Sequence, residues 1–275
     1  MPYFSHDGLN FYFEEHGSGT PILFSHGLAG DVKQAEELVG SIGGFRLILY
    51  DNRGHGKTGQ PGPVDRLNFD TMAGDAAQLL NLLSIKTTVV GGVSMGAGIA
   101  LAFCLKYPHR VRAAILARPA WLHKPMPANL ALFPEIAGMV QDVGVEQARE
   151  LFAHSNTYAA WKETYPPAVS SVDTLFFGRS PEAIVATYQA IPRSTPYRSV
   201  DALKRVEVPT LILANRNDPT HPFEYAEAWA MALGNAQLKE IPSKAEGLAK
   251  HISAFRCCLS QFLKDVPGLA TSART

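Results

Sequence analysis

The sequence predicts an α/β fold on a mostly parallel sheet, and three observations predict it. Short apolar runs such as "PILFSHG", "FRLILY" and "VRAAILARPA" recur and run into loops, as buried strands do. Between them lie stretches with apolar residues at helical spacing, such as "FDTMAGDAAQLLNLLSI". Continuous apolar strands alternating with helices imply a sheet covered on both faces. The alternation then stops at about residue 120 and resumes at about 200, which predicts a helical insertion in one core.

Each element follows in order. Phe4, an "HDG" turn at 6–8 and the alternating "LNFYFEE" read as an antiparallel hairpin. An apolar strand over 45–50 runs into the Gly-rich "DNRGHGKTG". The helix that follows has Asp70 as its expected N-cap. "TTVVGGVSMGAGIALAFCLKYP" reads as strand, sharp turn and a helix ending before Pro108. After the insertion come the strand "VPTLILANRND", the helix "PFEYAEAWAMAL", the strand "AQLKEI" and a final helix over 251–264. The tail "GLATSART" reads as frayed. The expected division is a core of residues 1–119 and 199–275 with a helical insertion over 120–198, far longer than an ordinary loop.

Composition narrows the function. Of 275 residues, 46% are hydrophobic and 18% charged, with zero formal net charge, so a sizeable core is expected. Neutral charge argues against nucleic acid or an anionic membrane surface as partner. No apolar run approaches the roughly 18 residues of a membrane span, and no secretory leader is visible. Cys104, Cys257 and Cys258 are odd in number and lack a CxxC spacing, so neither a disulfide framework nor a metal site is expected, and a cytoplasmic location fits. The expected partner is a small-molecule substrate, with no cofactor; a homodimer is possible, but no specific interface is legible.

The chemistry begins at Gly92-Val93-Ser94-Met95-Gly96, a G-x-S-x-G between an apolar strand and a helix. So tight a turn strains the serine's backbone, and small residues on either side make room for it. The hydroxyl is pushed out at the carboxyl end of the sheet, at a helix N-terminus that favours an anion.

In these motifs and their order the chain resembles the α/β-hydrolase superfamily, in its serine-hydrolase branch with a helical cap. "SHGLAG" resembles the family's oxyanion loop and "DNRGHGKTG" its architectural loop after the fourth strand, with Thr58 for the usual serine. The resemblance implies an eight-stranded sheet with helices on both faces, an insertion in the cap position, and an oxyanion hole formed by the N–H groups of Leu28 and Met95. "TLILANRNDPTHP" resembles the seventh strand and acid loop, which puts Asp218 in the place of the triad acid, with Asn215 where the family usually has glycine.

The resemblance fails at the base. The family's Gly-His after the eighth strand is replaced by Ala245-Glu246. Among nine histidines, His6 and His16 flank the hairpin, His26 and His55 belong to structural loops, His109 lies behind the nucleophile, and His123 and His154 fall in the insertion. His251 keeps the family's Ser, Asp, His order and is placed first. His221, three residues after Asp218, is placed second. Glu246, Lys250 and Lys244 rank below them. The expected reaction is acyl transfer to Ser94 from a small or medium, largely apolar ester, lactone or thioester, followed by release with water, the substrate bound by an apolar cap that includes Trp121 and Leu122. Cofactor-free lyases, perhydrolases, carbon–carbon bond hydrolases and a receptor-like protein with impaired turnover are the alternatives.

Overall fold

The computed structural model describes residues 2–164 and 168–269; residues 270–275 of the tail and 165–167 of the insertion lie outside the described residues. Eight strands form one sheet: β1 (Tyr3–His6), β2 (Leu9–Gly17), β3 (Thr20–Ser25), β4 (Phe45–Tyr50), β5 (Thr88–Val93), β6 (Val111–Ala117), β7 (Thr210–Ala214) and β8 (Ala236–Glu240). Their order is β1-β2-β4-β3-β5-β6-β7-β8. β2 is antiparallel to β1 and β4, and every other pair is parallel. The predicted fold class is the observed one.

Helices cover both faces. On one face, α1 (Val32–Val39) and α11 (Leu248–Asp265) pack on the sheet through residues such as Ala35, Phe255 and Leu259. The Phe255 ring meets Phe24 of β3 edge-on at 6.2 Å. Burying each such side chain contributes about 2 kcal/mol. On the other face lie α2 (Phe69–Leu82), α3 (Met95–Lys106) and α10 (Phe223–Ala232), with the fully buried Leu80, Leu101 and Trp229. Between β6 and β7 the described residues form helices and no strand: α4 (Leu132–Val143), α5 (Val145–Ala153), α6 (Asn156–Thr164), α7 (Ala168–Phe176), α8 (Pro181–Ala190) and the short α9 (Val200–Leu203). No helix among the described residues is long and apolar enough to cross a membrane.

Local chemistry moves three boundaries. The cap of α2 is Asn68, whose side chain accepts from the Thr71 N–H at 2.8 Å; Asp70 sits in the first turn instead. Helix α1, not anticipated from the sequence, starts where Asp31 accepts from the N–H groups of Lys33 and Gln34. Helix α11 starts at Leu248 rather than 251, so the His251 N–H donates to the Gly247 carbonyl within the first turn.

The sheet topology positions the site. β5, β6, β7 and β8 are successive parallel neighbours, so Ser94, Arg118, Asp218 and Lys244 all follow strands that end at one edge.

Candidate active site

Ser94 has φ 57° and ψ −113°, the left-handed strain expected of a strand-to-helix turn. Glycine is required on both sides: a Cβ on Gly92 would run into the Gly96 backbone, and one on Gly96 into the carbonyls of Ser25 and His26. The Ser94 N–H donates to Ala117 at 2.9 Å, and its carbonyl accepts from Ala97 and Gly98 at the start of α3. The Ser94 hydroxyl, half-buried, makes no hydrogen bond among the described residues.

The "SHGLAG" loop packs against this turn. A Cβ on Gly27 would stand 3.6 Å from that of Ser94. The loop is fixed by neutral imidazoles: His26 Nδ1 donates to the Gly27 carbonyl at 2.8 Å, and its Nε2 accepts from the Asn52 N–H at 3.0 Å. Burial pushes the His26 pKa down to about 4, which keeps that pattern intact. The Leu28 carbonyl accepts from His55 Nε2 at 2.7 Å and from Arg179 Nη1 at 3.3 Å. The Leu28 N–H, in the preceding peptide unit, has no acceptor among the described residues. Met95 is the first residue of α3, so its N–H has no intrahelical acceptor either.

The "DNRGHGKTG" loop buttresses this wall. Asp51 accepts from the Val32 and Lys57 N–H groups. Thr58 donates to the Asp51 carbonyl at 2.8 Å and accepts from the Tyr12 N–H at 3.0 Å, so its hydroxyl fills the role expected of a serine there. Arg53 forms a fully buried bidentate pair with Asp75 at 2.6 and 2.7 Å.

Across the cavity, Asp218 and His221 form a hydrogen-bonded unit. His221 Nδ1 is 3.0 Å from Asp218 Oδ2, and Asp218 Oδ1 accepts from the N–H groups of Thr220 and His221 at 3.2 Å each. Arg118 completes the unit: its Nε donates to Asp218 Oδ2 at 3.1 Å, its Nη2 pairs with the same oxygen, and Nη2 lies 3.0 Å from His221 Nδ1. Burial works to raise the Asp218 pKa, but the charges of Arg118 and His221 and their hydrogen bonds outweigh it, and the carboxyl stays well below the usual range. Burial first, and the Arg118 charge second, lower the His221 pKa and favour neutral imidazole. His221 Nε2 is buried without a hydrogen-bond partner. The left-handed residue of this loop is Asn217 (φ 57°), so Asn215 needs no glycine-like conformation.

A cavity of about 630 Å³ joins these walls; Leu28, Ser94, Arg118, Asp218, His221 and Lys244 all line it. The structure therefore brings Ser94, Asp218, His221 and Leu28 together. His251 is not among the lining residues: it is buried on α11, with Nδ1 donating to the Pro242 carbonyl at 2.8 Å and a pKa pushed by burial down to about 4. The apolar prediction is corrected in part. Phe133, Trp161 and Phe177 do line the cavity, whereas Trp121 and Leu122 do not, and the Trp121 ring is packed against Phe69 at 5.1 Å. The unforeseen members are cationic. Arg118 could have been found as a charge at the carboxyl end of the buried strand "VRAAILA", the end where such a sheet binds its ligands. Arg179 lies in the helical segment and carries no comparable signal.

The family model described as alpha/beta hydrolase fold matches residues 20–246. The chain belongs to the alpha/beta hydrolase family. It is 31% identical over 252 residues to a putative non-heme chloroperoxidase of Synechocystis sp., covering 85% of this chain and 87% of that protein. Among solved structures, a thermophilic esterase from Thermogutta terrifontis is 26% identical with a TM-score of 0.72, covering 95% of this chain and 97% of the other. The enol-lactonase from Burkholderia xenovorans LB400 has a TM-score of 0.76 at 20% identity, covering 96% and 100%, a likeness of fold alone.

Proposed function

We propose that this protein is a serine hydrolase that cleaves a small to medium ester, lactone or thioester through an acyl-enzyme. The observation that carries the reading is one cavity lined by a strained, unbonded Ser94 and by an Asp218–His221 hydrogen-bonded unit. His221, not His251, is the base in this reading. With Nδ1–H donating to Asp218, the Nε2 lone pair is left to take the serine proton. The two loops stand two strand spacings apart, roughly 10 Å, and the reading requires the imidazole and the hydroxyl to approach each other across that gap from its two sides.

The steps follow. Ser94 Oγ attacks the acyl carbon as its proton passes to His221. Charge developing on the carbonyl oxygen is met by the Leu28 and Met95 N–H groups, each worth about 3 kcal/mol in such sites. His221 then protonates the leaving group, and water discharges the acyl group by the reverse proton path. The helices of 120–198 act as the cap over Ser94, through Phe133, Trp161 and Phe177. A second reading, favoured by the relative named as a chloroperoxidase, has hydrogen peroxide in place of water at the last step.

The test is labelling by a fluorophosphonate and turnover of 4-nitrophenyl acetate and butyrate. Wild type and His251→Ala are expected to label; Ser94→Ala and His221→Ala are not. An unlabelled wild type would sink the hydrolase reading in favour of a receptor-like protein, and full activity in His221→Ala would remove the proposed base.

A further inference from the structure

The charges around the cavity do not balance where substrate must sit. Four cations line it, Lys33, Arg118, Arg179 and Lys244, with three carboxylates, Asp31, Glu37 and Asp218. Most of these are engaged or peripheral. Asp31 caps α1, Lys33 and Glu37 are exposed, and Asp218 is held by Arg118 and His221. Two half-buried cations are left, Lys244 and Arg179, and neither has a carboxylate within ion-pair distance among the described residues.

Their surroundings differ in detail. Lys244 follows β8 in a single helical turn fixed by a reciprocal cap, in which Ser243 accepts from the Ala245 N–H and Glu246 accepts from the Ser243 N–H. That is the loop from which the family was expected to supply its histidine, so the chain presents an ammonium there instead. Arg118 is its strongest electrostatic neighbour: repulsion from that guanidinium, then burial, lowers the Lys244 pKa to about 8. Arg179 stands by the oxyanion loop, with Nη1 3.3 Å from the Leu28 carbonyl and 3.2 Å from Thr187 Oγ1, and its guanidinium 4.7 Å from the centre of the Tyr188 ring. Its Nη2 is buried with no hydrogen-bond partner. Arg179 is engaged by those neutral groups beside the loop after β3, whereas Lys244 lines the cavity after β8 with a guanidinium as its strongest neighbour and no carboxylate of its own, a position that is costly unless an anion arrives.

We propose that the cavity recognises a substrate that carries a carboxylate beside its scissile ester or lactone, the carboxylate being held by Lys244. The proposal deepens the hydrolase reading and rests on it for the word substrate. The anion site itself is built from residues other than Ser94. An unpaired ammonium on this loop accepts a monoester of a dicarboxylic acid, or a lactone bearing an acid side chain, in preference to its neutral counterpart. Phe133, Trp161 and Phe177 then cover the intervening chain rather than forming the whole specificity surface.

The experiment measures binding without turnover. Calorimetric titration of Ser94→Ala with glutarate is compared with its uncharged diamide, glutaramide. Glutarate is expected to bind at least about tenfold tighter, the equivalent of one modest charge-assisted contact. Lys244→Gln in the Ser94→Ala background should weaken glutarate about tenfold and leave glutaramide unchanged. Added salt should weaken glutarate alone, a test that needs no substitution at Lys244 and stands if that variant fails to fold. Equal affinity for the two probes, no measurable glutarate binding, or glutarate binding insensitive to salt and to Lys244→Gln overturns the proposal. The two readings fail separately: an enzyme that does not label with fluorophosphonate can still prefer glutarate, and one that labels can still ignore charge.

Discussion

On one side of Ser94, the loops after β3 and β4 are fixed by buried, partnered groups: His26 to Gly27 and Asn52, His55 to Leu28, Asp51 to the Val32 and Lys57 amides, and Arg53 to Asp75. On the other side, the loops after β6, β7 and β8 are held by charge, with Arg118 pairing with Asp218 and repelling Lys244. The first wall has to be rigid, because an oxyanion hole works only if its donors are aimed before charge develops. The second wall has to respond, because protons and ligand charge change there. On the proposed reading, the contrast teaches that this enzyme keeps its family's stationary machinery and has rebuilt its titrating machinery.

The sharpest way to break that contrast is at the base. His221→Ala is expected to lower kcat by about 10³-fold, the range for a positioned general base, measured with 4-nitrophenyl butyrate. His251→Ala should keep its turnover and instead lose about 1–2 kcal/mol of stability in urea, through the lost bond to the Pro242 carbonyl and the space left on α11. The opposite pattern would return catalysis to the loop after β8. Next comes the rigid wall. Gly96→Ala drives a methyl into the Ser25 and His26 carbonyls and should cost about 3 kcal/mol in urea unfolding. Gly138→Ala, in α4 with open space around it, should be neutral or stabilising by up to about 1 kcal/mol. A similar loss at both positions would mean that the elbow is not specially crowded.

What could be read from the sequence divides along the same line. The rigid wall is encoded by short-range sterics: Gly92 and Gly96 around Ser94 announce the elbow, and "DNRGHGKTG" announces its own loop. The sheet was legible for the same reason, since buried strands such as 45–50 show as unbroken apolar runs. The charged wall is assembled from residues roughly 25 to 150 positions apart, Ser94, Arg118, Asp218 and Lys244, which become neighbours only through strand order. His251 was preferred because chain order was the available guide. Helix α11 begins early enough to bury that ring and tie it to Pro242. Trp121 and Leu122 looked like substrate contacts because burial against Phe69 and burial against a ligand leave the same apolar signature.

Two pH experiments probe the charged wall more finely. Burial and Arg118 lower the His221 pKa, so neutral, base-competent imidazole persists below the ordinary histidine value of about 6.5. The acid limb of kcat/KM should therefore lie below that value. Arg118→Met removes a positive neighbour, which makes protonation of His221 easier, and the limb should move to higher pH. A limb that stays in place would show that Arg118 does not tune the base, even if the variant is less stable.

The smallest effect is at Lys244, and its sign follows from its neighbours. Arg118, Asp218 and Glu37 are the charged groups that act on it; repulsion from Arg118 is the largest influence and, together with burial, brings the pKa down to about 8. Below that value the ammonium is charged and contributes to carboxylate binding; as pH rises through it, the charge and the contribution are lost. Glutarate is fully ionised across this window, and glutaramide does not titrate there, so the ratio of their affinities isolates the protein's own proton. In the Ser94→Ala protein that ratio should fall by several-fold between pH 7 and 9, approaching about tenfold only where the ammonium is fully lost. Lys244→Arg, whose guanidinium stays charged throughout, should hold the ratio constant over the same range. A ratio in the Ser94→Ala protein that does not change between pH 7 and 9 would overturn the assignment of the carboxylate to Lys244.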